Sequence, residues 1–167
     1  MDNKVAHTLA RTLEELGLAT VRFNFRGVGR SDGAFDDGPG EADDARAVCD
    51  WAAAHWRIRE LWLGGFSFGA FVATRVAAQG GAATPITQLI TIAPPVRRFA
   101  APASVRPTCP WLIVQGDQDD LVDVHEVRGF AAGVEPPPRL VVLAGVDHFF
   151  HGRLHELHDT LRSQLAK

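Results

Sequence analysis

Apolar residues along this chain change period several times, and each change marks an element. Val5, Leu9, Leu13 and Leu16 recur at spacings of three and four, the period of a helix with one buried face, and Gly17 closes it. Leu18–Phe25 is rich in β-branched and aromatic residues and predicts a strand. Residues 25–40 are dense in glycine and aspartate and read as a loop. Glu41–Trp56 predicts a helix, with acids in its first turn where they suit the positive end of the helix dipole. Glu60-Leu61-Trp62-Leu63-Gly64 predicts a short buried strand, and Ala70–Ala78 a helix ending at Gly80-Gly81. Ile86–Ala93 is a further strand, cut off by Pro94-Pro95. Residues 96–109 form a short connection holding Pro102 and Pro107. Trp111–Gln115 and Arg139–Leu143 predict two more strands, with a helix over Asp123–Ala132 between them. Leu154, Leu157, Leu161 and Leu165 mark the core face of a terminal helix. Strands that alternate with helices imply an α/β fold with a mainly parallel sheet flanked by helices. Without repeat or linker, residues 1–167 are expected to form a single domain.

The junction between the Glu60–Gly64 strand and the helix after it carries the strongest chemical signal. It reads Gly65-Phe66-Ser67-Phe68-Gly69, which fits G-x-S-x-G, the sharp turn that presents a serine hydroxyl at the end of a sheet. The turn is crowded, so side chains at both glycine positions are expected to clash. A serine hydroxyl needs a base to take its proton and an acid to orient that base. Both follow in order. Trp111–Gln115 leads into Gly116-Asp117-Gln118-Asp119-Asp120, and Arg139–Leu143 leads into Gly145-Val146-Asp147-His148. Serine, acid and histidine thus come after three successive strands, at the end where open α/β sheets put their sites. Asp119 is the expected acid. Asp117 follows Gly116 and reads as a turn brace, and Asp120 as a solvated residue.

Other patterns are weaker. His148, His151, His155 and His158 stand at helical spacing and could hold zinc, but the set straddles a loop-to-helix junction, so no metal is expected. Gly27-Val28-Gly29-Arg30-Ser31-Asp32-Gly33 follows a strand, yet its spacing is one residue longer than the dinucleotide fingerprint, and no acid ends the next strand. No cofactor is expected. Arg26 could reach an anionic group of a substrate.

Composition adds limits. The chain is 46% apolar and 22% charged, with a net charge of -3, which gives no reason to expect nucleic acid or an anionic membrane as a partner. No apolar run reaches the length of a membrane span, and residues 1–16 do not read as a signal peptide. Cys49 and Cys109 form no C-x-x-C and fit a reducing cytoplasm. Oligomeric state leaves no trace in the sequence.

Taken together, these stretches resemble the α/β-hydrolase superfamily. More narrowly, the chain is similar to the small, lidless bacterial predicted hydrolases related to dienelactone hydrolases and serine esterases. The resemblance covers essentially the whole chain. It rests on Met1–Val5, Val21–Gly33, Gly40–Asp44, the elbow, Ile92–Pro95, Gln115–Asp119 and Asp147–Phe150. It implies Ser67 as nucleophile, His148 as general base, Asp119 as orienting acid and the Phe68 amide as one oxyanion donor. It implies hydrolysis of a small ester, thioester or lactone through an acyl-enzyme, with acyl transfer as a variant on the same residues. It leaves the substrate and the substrate-binding residues open. Dienelactone hydrolases proper use a cysteine where this chain has Ser67. The family also carries residues ahead of Met1–Val5 that supply the first strands and the second oxyanion donor. The expected fold is therefore an N-terminally truncated α/β-hydrolase core without a lid. A strand of the family's sheet lies between Leu18–Phe25 and Leu61–Gly64, so these two segments are expected either to close up and pair or to leave a gap. A non-catalytic, hydrolase-like interaction module remains an alternative.

Overall fold

A computed structural model describes residues 3–80, 83–99 and 101–166. Met1, Asp2 and Gly81, which belong to stretches singled out above, lie outside them. The described elements run α1 (Lys4–Glu15), α2 (Pro39–Trp56), β1 (Leu61–Phe66), α3 (Phe68–Gln79), β2 (Ile86–Ile92), β3 (Trp111–Gly116), α4 (Val124–Gly133), β4 (Arg139–Leu143) and α5 (Leu154–Leu165). Local chemistry sets the helix starts. The Asn3 side chain accepts from the Ala6 amide at 2.9 Å, and Asp123 accepts from the His125 amide at 2.8 Å, so each helix begins with an orphan donor satisfied. Pro39 opens α2 two residues earlier than the sequence predicts, because proline fits the first helical position and Gly38 supplies the positive φ of the entry. Among the described residues of the 96–109 connection stand two single 3-10 turns, Val96–Arg98 and Pro102–Ser104, and no larger insertion.

The four strands form one parallel sheet in the order β1-β2-β3-β4. A parallel sheet whose order never reverses sends its right-handed crossovers over one face. Accordingly α3, α4 and the 96–109 connection share a face: Ala73, Val96, Val105 and Val127 pack with Leu89, Trp111 and Ile113. On the opposite face, Val5, Leu9 and Leu13 of α1 and Leu157, Leu161 and Leu165 of α5 pack with Ile90, Ile92, Leu112 and Val114. The alternation along β3 is the two-residue pleat of a strand covered on both sides, and each fully buried Leu, Ile or Val contributes roughly 1.5–3 kcal/mol.

One expected strand is absent. Leu18–Phe25 adopts no strand and joins no ladder among the described residues. Among the described residues β1 pairs with β2 alone, so of the two outcomes foreseen for the Leu18–Phe25 and Leu61–Gly64 segments, they do not close up. Its apolar side chains still pack: Leu18 with the α1/α5 core, and Phe23 and Phe25 with Ala42, Ala45 and Phe71 on the other face, while Val21 is exposed. Apolar packing is therefore present here without the backbone pairing that defines a strand. The same open side leaves Leu61, Trp62 and Leu63 only partly buried, whereas every residue of β3 is buried.

A polar clasp joins α1 to α5. His158 Nε2 lies 2.7 Å from Glu15 Oε2, and its Nδ1 lies 2.9 Å from Asp159 Oδ1. These bonds, to Glu15 first and then to Asp159, raise the imidazole's pKa above its ordinary value. A group whose folded pKa is raised stabilises the protein fully below its unfolded pKa, and the contribution disappears as pH rises through the folded value. His158→Gln should therefore lower Tm at about pH 5.5 and lose most of that effect by about pH 9. The shift should be small and salt-sensitive, because the groups are partly solvated. Thermal melts of both proteins across that range are the check, and an equal Tm deficit at both ends would sink the account.

Candidate active site

Parallel strands put all their C-terminal ends on one edge, and the site is built there. β1 runs through Gly65 and Phe66, so the elbow starts inside the strand rather than after it. Ser67 then takes φ 51° and ψ -118°, a strained conformation for a residue with a side chain. Its amide donates to the Ile92 carbonyl at 2.9 Å, continuing the sheet register, and its carbonyl accepts from the Ala70 and Phe71 amides of α3. The strain is thus held by the ladder on one side and the helix on the other.

Of the two flanking glycines, only the first is sterically required. A Cβ on Gly65 would lie 2.2 Å from the Gly69 carbonyl oxygen, so a side chain there forces strand and helix apart. A Cβ on Gly69 would meet nothing nearer than the Phe25 ring at 4.0 Å, an ordinary contact. The expectation that both positions would clash fails at Gly69, which faces a ring edge and not backbone. Gly65→Ala should destabilise the fold by about 1–3 kcal/mol through overpacking and should abolish any chemistry at Ser67. Gly69→Ala should be near neutral. Paired urea melts and activity assays of the two variants test the contrast.

His148 stands past β4 and is 2% exposed. Its Nε2 lies 3.0 Å from Ser67 Oγ, and its Nδ1 lies 2.7 Å from Asp119 Oδ2. The Phe66 and Phe149 rings pack at 5.0 Å from the imidazole. Phe150, fully buried and at φ 57°, anchors the loop behind it. A bulky residue at positive φ is strained, and burial of its ring in the α1/α5 core offsets that cost.

Asp119 is fully buried at its carboxylate and accepts four hydrogen bonds. Oδ1 takes the Leu121 and Val122 amides at 2.9 and 2.8 Å. Oδ2 takes His148 and the Gln115 amide nitrogen, the latter at 2.9 Å. Burial pushes this carboxyl up, but His148, the two amides and Gln115 outweigh it, and the pKa lies below the ordinary value. Asp119 is therefore a fixed, ionised acceptor that holds the proton of the imidazole on Nδ1 and leaves Nε2 free to accept from the serine.

The other candidates have different partners. Asp117 Oδ1 accepts from the Gly145 amide at 2.7 Å and ties the acid loop to the histidine loop. Asp120 is exposed. Arg26 spends its fork on Asp44, Nη2 donating to Oδ1 at 2.8 Å and Nε to Oδ2 at 3.0 Å, so it joins the glycine-rich loop to α2 and does not reach for a substrate. The four clustered histidines do not converge: His148 is inside, His151 pairs with Asp147 at the surface, and His158 pairs with Glu15.

Three positioning features escaped the sequence reading. Gln115 ends an otherwise apolar strand and donates to Asp119; a lone amide in a buried strand was its only sequence signal. At Gly116 a Cβ would lie 2.1 Å from the Val146 carbonyl oxygen, so glycine here lets the histidine loop come close. Phe68 sits with its ring among Phe25, Phe35 and Phe71, under the Arg98 guanidinium at 5.3 Å. Its amide is the first of α3, where the helix supplies no acceptor and the dipole is positive.

A cleft of about 450 Å³ opens beside His148. A wider depression of about 590 Å³ runs along α5 and includes none of Ser67, His148 or Asp119. No helix among the described residues is long and apolar enough to cross a membrane.

Known proteins resemble this chain in sequence and fold. An alpha-beta serine hydrolase homologue from Coxiella burnetii is 48% identical, superposes with a TM-score of 0.93, and is matched over 99% of this chain and 78% of its own. A serine hydrolase without a lid from Xanthomonas campestris is 45% identical with a TM-score of 0.89, over 98% of this chain and 72% of its own. An uncharacterized protein of Rickettsia prowazekii is 31% identical over 99% of this chain and 72% of its own length. Residues 1–166 match the alpha/beta hydrolase domain family, and the chain belongs to that family.

Proposed function

We propose that this protein is a serine hydrolase that cleaves small esters, thioesters or lactones through an acyl-enzyme on Ser67. The observation that carries the reading is the continuous hydrogen-bonded path from Ser67 Oγ through His148 to Asp119 at the end of a strained elbow. Ser67 Oγ attacks the carbonyl carbon while its proton passes to His148 Nε2. Asp119 holds the imidazole orientation and stabilises the imidazolium. The Phe68 amide stabilises the oxyanion, a contribution worth roughly 3 kcal/mol per donor. The tetrahedral adduct collapses, the bond to the leaving group breaks, and His148 gives that group its proton. Water then repeats the sequence and frees Ser67. The short 96–109 connection, without a lid, suits substrates that are small or presented from outside.

Cys49 and Cys109 are both free, which fits a reducing compartment such as the cytoplasm. A second reading, a non-catalytic hydrolase-like module, draws on the Leu18–Phe25 segment, which joins no ladder among the described residues, and on a single identified oxyanion donor. A fluorophosphonate probe separates the two. Labelling at Ser67, lost in Ser67→Ala, is the expected result. A folded protein that never labels would support the module.

A further inference from the structure

The cleft beside His148 is one-sided in its charge. Leu121 and Phe149, 65% and 48% exposed, form apolar walls, and Asp120 and Asp147 supply carboxylates. Neither lysine nor arginine lines it. Hydrogen bonds from the His151 amide and side chain keep Asp147 well ionised. The His151 ring, 2.7 Å from Asp147, faces the cleft at its rim. Across Ser67, the guanidinium over Phe68 belongs to Arg98 and is paired with Asp37, so that side offers no comparable excess of one sign.

The proton route decides what occupies this cleft. In the mechanism proposed above, on which this inference rests, His148 Nε2 must hand its proton to the departing atom. The leaving group therefore departs toward the histidine, and a cleft lined by His148, though not by Ser67 itself, lies beside that imidazole. A cleft of about 450 Å³ is within the range that holds small organic groups. Phe149 is braced against the Phe66 ring at 6.1 Å and is about half exposed, so it offers the cleft aromatic surface that attracts a cation.

We infer that this cleft is a leaving-group subsite selecting alcohols or thiols with an apolar body and a neutral or positive charge, and rejecting anionic ones such as phosphorylated alcohols and thiols. Substrates are then used in the order cationic, neutral, anionic for one and the same acyl group.

Three acetate esters test this: those of phenols bearing meta-trimethylammonium, meta-tert-butyl or meta-sulfonate. The first two are nearly isosteric. Each kcat/KM is divided by the ester's own rate with hydroxide, which removes intrinsic reactivity. At about 20 mM ionic strength the ammonium ester should exceed the sulfonate by about tenfold or more, and about 0.5 M salt should shrink the ratio severalfold. In Asp120→Asn, and further in Asp120→Asn/Asp147→Asn, the ratio should fall toward one. The ratio is internal to each protein, so a variant with lower overall activity still reports. Equal use of the three esters, or a preference indifferent to both salt and these substitutions, overturns the subsite while leaving the hydrolase reading intact. A parent protein that turns over none of them overturns both.

Discussion

Ser67→Ala is expected to lower p-nitrophenyl acetate turnover by about ten-thousandfold or more, with no change in the thermal melt beyond a degree or two. The hydroxyl is the only group at the elbow able to attack a carbonyl, and His148 Nε2 stands 3.0 Å from it. The fold should not notice the loss. The elbow is held by backbone, through the Ser67 amide on Ile92 and the Ser67 carbonyl on α3, and alanine keeps both. Residual activity within tenfold of the parent would move the nucleophile elsewhere. A large loss of stability would mean that the hydroxyl has a structural task that the hydrogen bonds do not show.

Asp119→Asn is expected to cost about ten-thousandfold in kcat, and Asp117→Asn much less. An asparagine at position 119 can offer its amide nitrogen where His148 Nδ1–H now donates. The imidazole then turns to the tautomer that cannot accept from Ser67. Asp117 touches neither Ser67 nor His148; it braces Gly145, so its loss should be read as a modest drop in stability and activity together. His148→Ala should be as damaging as Ser67→Ala, and the double variant Ser67→Ala/His148→Ala little worse than either, because the groups act as a unit. Steady-state kinetics on the three single variants and the double variant check this. An Asp117→Asn protein weaker than Asp119→Asn would reverse the assignment of the acid.

Much of this was legible in the chain because local chemistry and tertiary need coincide. A glycine that must touch backbone at 2.2 Å leaves a mark in the sequence, as Gly65 does. So do helix caps, the alternation of strands with helices, and a serine, an acid and a histidine each following a strand. Where one local pattern serves two outcomes, the reading falters. Leu18–Phe25 has the β-branched and aromatic content of a strand, but a strand also needs a neighbour's amides and carbonyls, and no run of residues can state whether these are present. Gly69 looks as constrained as Gly65 until its surroundings show a ring 4.0 Å away and no backbone. Arg26 looks available until Asp44 of α2 is found against it.

Periodicity, turn residues and the shortness of connections in the sequence were enough for the parallel sheet and the edge on which the chemistry-bearing groups gather, because they leave few other solutions, although they also implied a strand at Leu18–Phe25 that the fold does not form. Asp119 was already the acid that order and turn chemistry favoured; what the folded structure adds is its set of partners, with Asp119 against His148, Asp117 against the Gly145 amide and Asp120 exposed. Tertiary structure also decided the support behind that acid, with Gln115 reaching Asp119 from inside the sheet and Gly116 admitting the histidine loop. Hydrogen-bond partners far apart in the chain are set by distance and angle in space, and a one-dimensional pattern carries neither.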